Sequence, residues 1–333
     1  MSALTHAILY TLLITTSLIS TVGKVSAKTG NMSAGFEELG SFYEVAESSP
    51  LEEKEREYCF SQSTVCVYNA TTKENMYLPL EEYVSCVMLA EAPSWYQKEA
   101  LKAIAVAVRT YTLYKALNPS HDGGASVCTS STHCQAFYSL EEASKLWGDK
   151  SANDAYELVK KAVLETEGEI LLYDSEPILA MYHASSYLCT KGFGDVEYLQ
   201  SVAVPFENEL TSRKFEKSYS QNECLELLGL KGERLQLYDV WQGDLCVGMR
   251  VVCDGVESMI TPDRVRALFS LSSPNFRIEK SREGFLFKSF GFGHGVGLSQ
   301  EGANIMAQSG NDYDDILSHY YTNTNLAKLK ISE

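Results

Sequence analysis

Basic residues are scarce in this chain: 28 lysines and arginines stand against 44 aspartates and glutamates, a formal charge of −16 over 333 residues. A polyphosphate partner needs clustered cations, and no such cluster occurs, which argues against nucleic acid. A Gly-Lys-Ser/Thr phosphate loop and the dinucleotide fingerprint are also missing. There is no internal repeat, and no low-complexity tract after residue 57. The strongly apolar run Ala7–Val22 stops at sixteen residues, short of the roughly 20 that a spanning helix needs.

The N-terminus lacks charge altogether, with no lysine, arginine, aspartate or glutamate from Met1 to Gly23. Its n-region therefore departs from a standard signal, yet Val25–Ala27 offers a small-residue cleavage site. Export is the expectation, with residues 1–27 acting as a cleaved signal peptide or a retained membrane anchor. Residues 28–57, rich in glutamate, glycine and serine, read as an acidic linker. Folded sequence is expected over 58–333, long enough to bury a full core.

What is present begins with ordinary globular composition, 45% hydrophobic and 11% aromatic, but with 20 tyrosines. An aromatic with a polar tip suits sugar-lined grooves as well as cores. Nine cysteines suggest disulfides in an exported protein, although an odd number leaves one over unless it pairs between chains. Cys86, inside an apolar run, reads as a core residue.

Short strands are expected around Asn69–Thr72, followed by an apolar segment to Ala90. The clearest helix follows Pro93. Ser94 and Gln97 have capping-box spacing, Leu101, Ile104, Ala105, Val108, Tyr111 and Thr112 recur at helical intervals, and Asn118-Pro119 ends the run. Lys102 and Arg109, seven apart, project from nearly one face. A second helix is predicted over about Asn153–Thr166. Further on come strand-like runs, a hairpin at 276–293, and two short helices split by Gly310 with Ser299 and Asp312 as N-caps. Strands and helices do not alternate strictly. The fold class expected is therefore α+β, mixed helices and antiparallel strands around a substrate groove.

Two stretches carry chemistry. In "GFGHGVGLSQEGA" (291–303) four alternate glycines surround His294 just before a helix, either as a tight strand-to-helix turn or as a pocket lining. In "MLAEAPSW" (88–95) Glu91 is flanked by Met88, Leu89, Ala90, Ala92, Pro93 and Trp95, surroundings that favour a raised carboxyl pKa.

With "LEEYVSCVMLAEAPSWYQKEALKAIAVAVRTYTL", "CQAFY", "AVLETEGEILLYDSEPILAMYHASS", "ALFSLSSPNFRI" and "GFGHGVGLSQEGANIMAQSGNDYDDILSHYY", the chain resembles the stage II sporulation protein D (SpoIID/LytB) family from about residue 75 to 327. The resemblance implies an exported lytic transglycosylase that cleaves peptidoglycan strands already stripped of stem peptides, in spore engulfment. It places Glu91 at the catalytic position, with Lys102 and Arg109 as orienting residues, and makes Tyr182, His183, Ser185, His294 and Gln300 groove candidates. By the same analogy the partners are glycan strands, an amidase (stage II sporulation protein P) and a membrane scaffold (stage II sporulation protein M). The chemistry needs no cofactor. The alternative within the family is a non-catalytic enhancer of a cell-wall amidase. Departures from the family pattern are Tyr187-Leu188 in place of a double glycine, Lys191 in place of an acidic residue, Ala92 in the usual Glu-Met-Pro, and Glu301 in place of an aromatic.

A single glutamate can suffice for such a reaction. Most glycosidases need two carboxylates, but here the sugar's C6 hydroxyl is the nucleophile, so one carboxyl serves as acid and then as base. Separately, His121, Cys128, His133 and Cys134 lie within 14 residues. This cluster can hold structural Zn²⁺ tetrahedrally, form a Cys128–Cys134 disulfide, or remain as free groups. A zinc hydrolase built on it is disfavoured, because no spare carboxylate base lies at a recognised spacing.

Overall fold

Asn69 turns the first hairpin: its side-chain oxygen accepts from the N–H groups of Thr71 and Thr72, and Lys73 adopts φ +64°, a local Asx geometry. The computed structural model describes residues 57–60, 63–119, 121, 124–204 and 213–331. The expected signal or anchor (1–27) and all but the last residue of the linker lie outside them. Among the described residues no helix is long and apolar enough to cross a membrane.

Strand β1 (Glu57–Phe60) precedes the hairpin of β2 (Thr64–Asn69) and β3 (Glu74–Pro79). The apolar segment that follows is a helix, α1 (Leu80–Glu91), buried from Tyr83 through Leu89. A helix apolar on nearly all sides belongs at the centre of a core. Its partner is α2 (Lys98–Leu117), whose Ala100, Ala103, Ala105 and Ala107 admit close neighbours. Here the capping expectation fails: α2 starts after Gln97 with no side-chain cap. Ser94 lies in a turn instead, and the Gln97 N–H donates to Asn304 Oδ1 from across the molecule.

Next, β4 (Val127–Cys128) adds parallel to β2. Helix α3 (Leu140–Trp147) opens on a capping box of Ser139 and Glu142, and Gly148 at φ +82° separates it from α4 (Asp149–Glu165). The second predicted helix thus begins four residues early. Strands β5 (Glu169–Tyr173) and β6 (Glu176–Pro177) form a tight hairpin over Asp174 and Ser175, both at positive φ, as a two-residue loop requires. Of the run 177–185, Pro177 ends β6 and Tyr182–His183 forms β7.

A β-rich unit follows: β8 (Lys214–Ser220), α5 (Gln221–Leu228), β9 (Leu235–Gln242), β10 (Leu245–Cys253), β11 (Val256–Ile260), α6 (Pro262–Leu268), β12 (Phe276–Lys280) and β13 (Gly284–Phe290). Two antiparallel sheets, ordered β11–β10–β9 and β12–β13–β8, enclose a second apolar cluster around Met249, Phe269, Phe276 and Phe287. The chain then returns to the first core. β14 (Leu298–Ser299) pairs parallel with β7, and α7 (Gln300–Gln308) and α8 (Tyr313–Tyr320) pack on α2. Ser299 and Asp312 cap these helices as predicted. β15 (Asn325–Ile331) runs between β1 and β5. The architecture is α+β with mainly antiparallel pairing.

Candidate active site

Glu91 is the last residue of α1 because Ala92, constrained by Pro93, turns extended (φ −102°, ψ 127°) and cannot continue the helix. Its Oε1 accepts the Ala136 N–H at 2.6 Å. Met88, Leu89 and Ala92 around it are buried, while Glu91 itself keeps partial exposure. Burial raises its pKa and the Ala136 N–H opposes the rise. Because Oε1 is taken as an acceptor, a proton on this carboxyl sits on Oε2, free to be given away.

The segment that supplies Ala136 is held on both sides. Gln135, 1% exposed, donates from Nε2 to Thr112 Oγ1 at 3.2 Å and accepts the Tyr182 hydroxyl at 3.1 Å. Phe137 stacks on Tyr83, and the Tyr138 N–H donates to the Cys86 carbonyl. Burial, then the charge of Glu91, holds the Tyr182 phenol well above its usual range. Glu91, Tyr182 and Gln135–Ala136 therefore form one constellation. Gln135 and Ala136 escape side-chain reasoning, since one acts inside the core and the other through its backbone.

On the N-terminal side, Cys134 belongs to the cysteine–histidine cluster. The ligand atoms of His121, Cys128, His133 and Cys134 lie within 4.8 Å of one another. His121 Nε2 is 3.1 Å from Cys134 Sγ, and His133 Nδ1 is 3.6 Å from Cys128 Sγ and 3.4 Å from Cys134 Sγ. Both cysteines are free thiols, so the disulfide alternative is not formed here. The hydrogen bond from Cys134 pushes Cys128 down to about 5. Two thiols and two imidazoles at these separations match a tetrahedral ion with Zn–S near ~2.3 Å and Zn–N near ~2.0 Å.

The remaining predicted residues fall elsewhere. Arg109 is fully buried, so it cannot meet a substrate. It makes a fork with Glu81 (Nε–Oε1 2.8 Å, Nη2–Oε2 2.6 Å) and donates to the carbonyls of Val163 and Glu169. Lys102 pairs with Glu99 at 3.0 Å and lies over the Tyr313 ring. Neither cation is among the influences on Glu91. His183 and His294 brace a single residue, Val296, through its two flanking peptides: His183 Nδ1–H donates to the Val296 carbonyl at 3.1 Å, and the Val296 N–H donates to His294 Nδ1 at 3.1 Å. Burial first, then neighbouring positive groups, lowers them to about 3 and about 4, so both stay neutral near neutral pH. His183 Nε2 also accepts the Ser186 hydroxyl at 2.6 Å. The glycines are needed for this packing, since a Cβ at Gly293 (φ +112°) would lie 2.7 Å from the His183 Cβ. Ser185 Oγ and Gln300 Nε2 are buried at the same junction, without a hydrogen-bond partner among the described residues.

Comparison with known proteins completes the picture. The family model described as Stage II sporulation protein matches residues 68–173, which span Glu91, Ala136 and the cysteine–histidine cluster. The stage II sporulation protein D of Bacillus subtilis is 30% identical over 276 residues, 80% of each chain, and that of Bacillus amyloliquefaciens is 30% identical over 279 residues, also 80% of each. An amidase enhancer of Bacillus subtilis is 24% identical over 298 residues, covering 71% of this chain and 39% of that protein. The similarity thus runs over most of the length of those sporulation proteins, and the chain belongs to the stage II sporulation protein D family.

Proposed function

We propose that this chain is an exported lytic transglycosylase that cuts peptidoglycan strands lacking stem peptides, in the engulfment stage of sporulation. The observation that carries the reading is Glu91: one partly exposed carboxyl, raised by burial, with one oxygen pinned by a backbone N–H. Neutral Glu91 gives its Oε2 proton to the glycosidic oxygen as the C1–O bond breaks. The carboxylate then takes the proton of the muramyl C6 hydroxyl while that oxygen bonds to C1, closing the anhydro ring. The Ala136 N–H stabilises the carboxylate between the two transfers. Half-buried Tyr182 and the exposed Trp95 are suited to flank a sugar in the groove.

The cysteine–histidine cluster would hold a structural Zn²⁺, fixing Cys134 and through it Gln135 and Ala136. Purified protein is expected to carry close to one equivalent of zinc; less than about a tenth of an equivalent would discard this assignment. An amidase that strips the strands and a membrane scaffold, such as stage II sporulation proteins P and M, are the partners this reading calls for. Export by the N-terminal segment belongs to the same proposal.

Incubation with peptide-free glycan strands tests the reading. Anhydro-muramyl ends are expected, and Glu91→Gln should lower their formation at least ~10³-fold, since the proton donor itself is removed. Reducing ends would mean hydrolysis instead. The similarity to an amidase enhancer motivates the second reading. It predicts no cleavage, and stimulation of an added amidase by wild type and Glu91→Gln alike.

A further inference from the structure

Two cations converge beside the glycine-cradled histidine, in a chain otherwise dominated by acidic groups. Lys191 is bridged to Val296 and its N–H donates to the Gly295 carbonyl at 2.6 Å. Its ammonium meets both oxygens of Asp263, at 2.8 and 2.6 Å. Asp263 and Arg266 are three apart on α6, so they share a face, and the Lys191–Asp263 pair brings that face to the Gly291–Gly297 loop. Asp263 offsets one of the two positive charges. The Nε of Arg266 is buried with no hydrogen-bond partner among the described residues. The combined field reaches His294, where Arg266 and Lys191 add to burial in disfavouring its protonated form. A desolvated guanidinium N–H without an acceptor is costly, and the acceptor that suits its planar fork is a carboxylate.

Resting on the glycan-cleaving reading above, we propose that Lys191 and Arg266, beside the His294 loop, form an anion subsite that takes the free lactyl carboxylate of a muramyl sugar whose stem peptide has been removed. In an intact strand the lactyl group is an amide and offers no carboxylate at this position. Amidase cleavage creates the anion, and the Arg266 Nε–H, which has no acceptor among the described residues, distinguishes the two states. N-acetylglucosamine units carry no such group, so the subsite also sets register along an alternating strand. The link to the chemistry is short in the fold: the His294 loop leads into β14, which pairs with β7 at Tyr182, the neighbour of Glu91.

Binding is measured with the Glu91→Gln protein, which leaves oligomers uncut, using peptide-free muramyl oligosaccharides and the same oligomers with lactyl groups capped as methylamides. The free acid should bind at least ~10-fold more tightly, with the preference shrinking as salt rises. Adding Lys191→Met and Arg266→Met should erase the preference and leave affinity for the capped oligomer unchanged. Lys191→Met alone, at a half-buried position whose partner Asp263 is 57% exposed, should reduce the preference without lowering the thermal midpoint. Equal affinity of the Glu91→Gln protein for the two oligomers, or a preference that survives in the double cation variant, overturns the subsite. Equal cleavage of both oligomers by the wild type overturns it too while leaving the glycan reading intact. Failure to cleave either oligomer overturns the glycan reading instead, and the binding comparison still decides whether the anion is held.

Discussion

Burial raises the pKa of Glu91 above that of a solvated glutamate, and that has a thermodynamic sign. Its folded pKa lies above the unfolded one, so the native state binds more protons in the window between them. Stability is complete below the unfolded value and is lost as pH rises through the folded value. Glu91→Gln should therefore melt higher than wild type at pH 8, with the difference gone near pH 4; a difference independent of pH would show that ionisation of Glu91 is not the cause. The apolar flanks that raise the pKa of this carboxyl are legible in "MLAEAPSW". Its partner is not, because Ala136 contributes a backbone N–H, which no residue pattern displays. Arg109 shows the opposite limit. Its seven-residue spacing from Lys102 correctly gives a shared helix face, but burial depends on Glu81, 28 positions upstream.

At the scale of elements, the Arg109–Glu81 fork ties the start of α1 to α2, and through the Val163 and Glu169 carbonyls to the end of α4 and the start of β5. The Gly168 N–H also donates to Glu81. Removing one partner strands the other inside this junction. Arg109→Met is expected to cost about 3–5 kcal/mol in urea unfolding, whereas Lys102→Met, at a less deeply buried pair, should cost about 1 kcal/mol or less. Comparable losses for both would contradict the structural role assigned to Arg109. Helices read well where apolar periodicity is long, as in α2, or where caps are local, as in α7 and α8. The Ser94 box fails because Asn304 satisfies Gln97 from a distance. α3 escapes notice because eight residues offer little more than two turns of pattern.

For the whole molecule, the α+β class follows from the irregular order of helix and strand patterns, but the partition of the interior into two principal clusters has no sequence signature. The first draws on residues from Val65 to Tyr321, whereas the second comes from the single stretch Cys224–Phe287. Hydrogen exchange in mild denaturant should release the amides of β8–β13 as a group, at a free energy distinct from those of α1 and α2; a single shared opening energy would argue for one cooperative core. Ser185 and Phe292 exchange backbone hydrogen bonds of 3.1 and 2.9 Å, clasping the chain before and after the β-rich unit. In polymer terms that unit is a closed loop on a short stem, whose further rungs are the β7–β14 pairs. Closure entropy grows only with the logarithm of contour length, about 0.6 kcal/mol per doubling. Insertions or deletions within β8–β13 are therefore cheap for the half of the molecule that holds Glu91, and length variation among relatives should accumulate there rather than between α1 and Ala136.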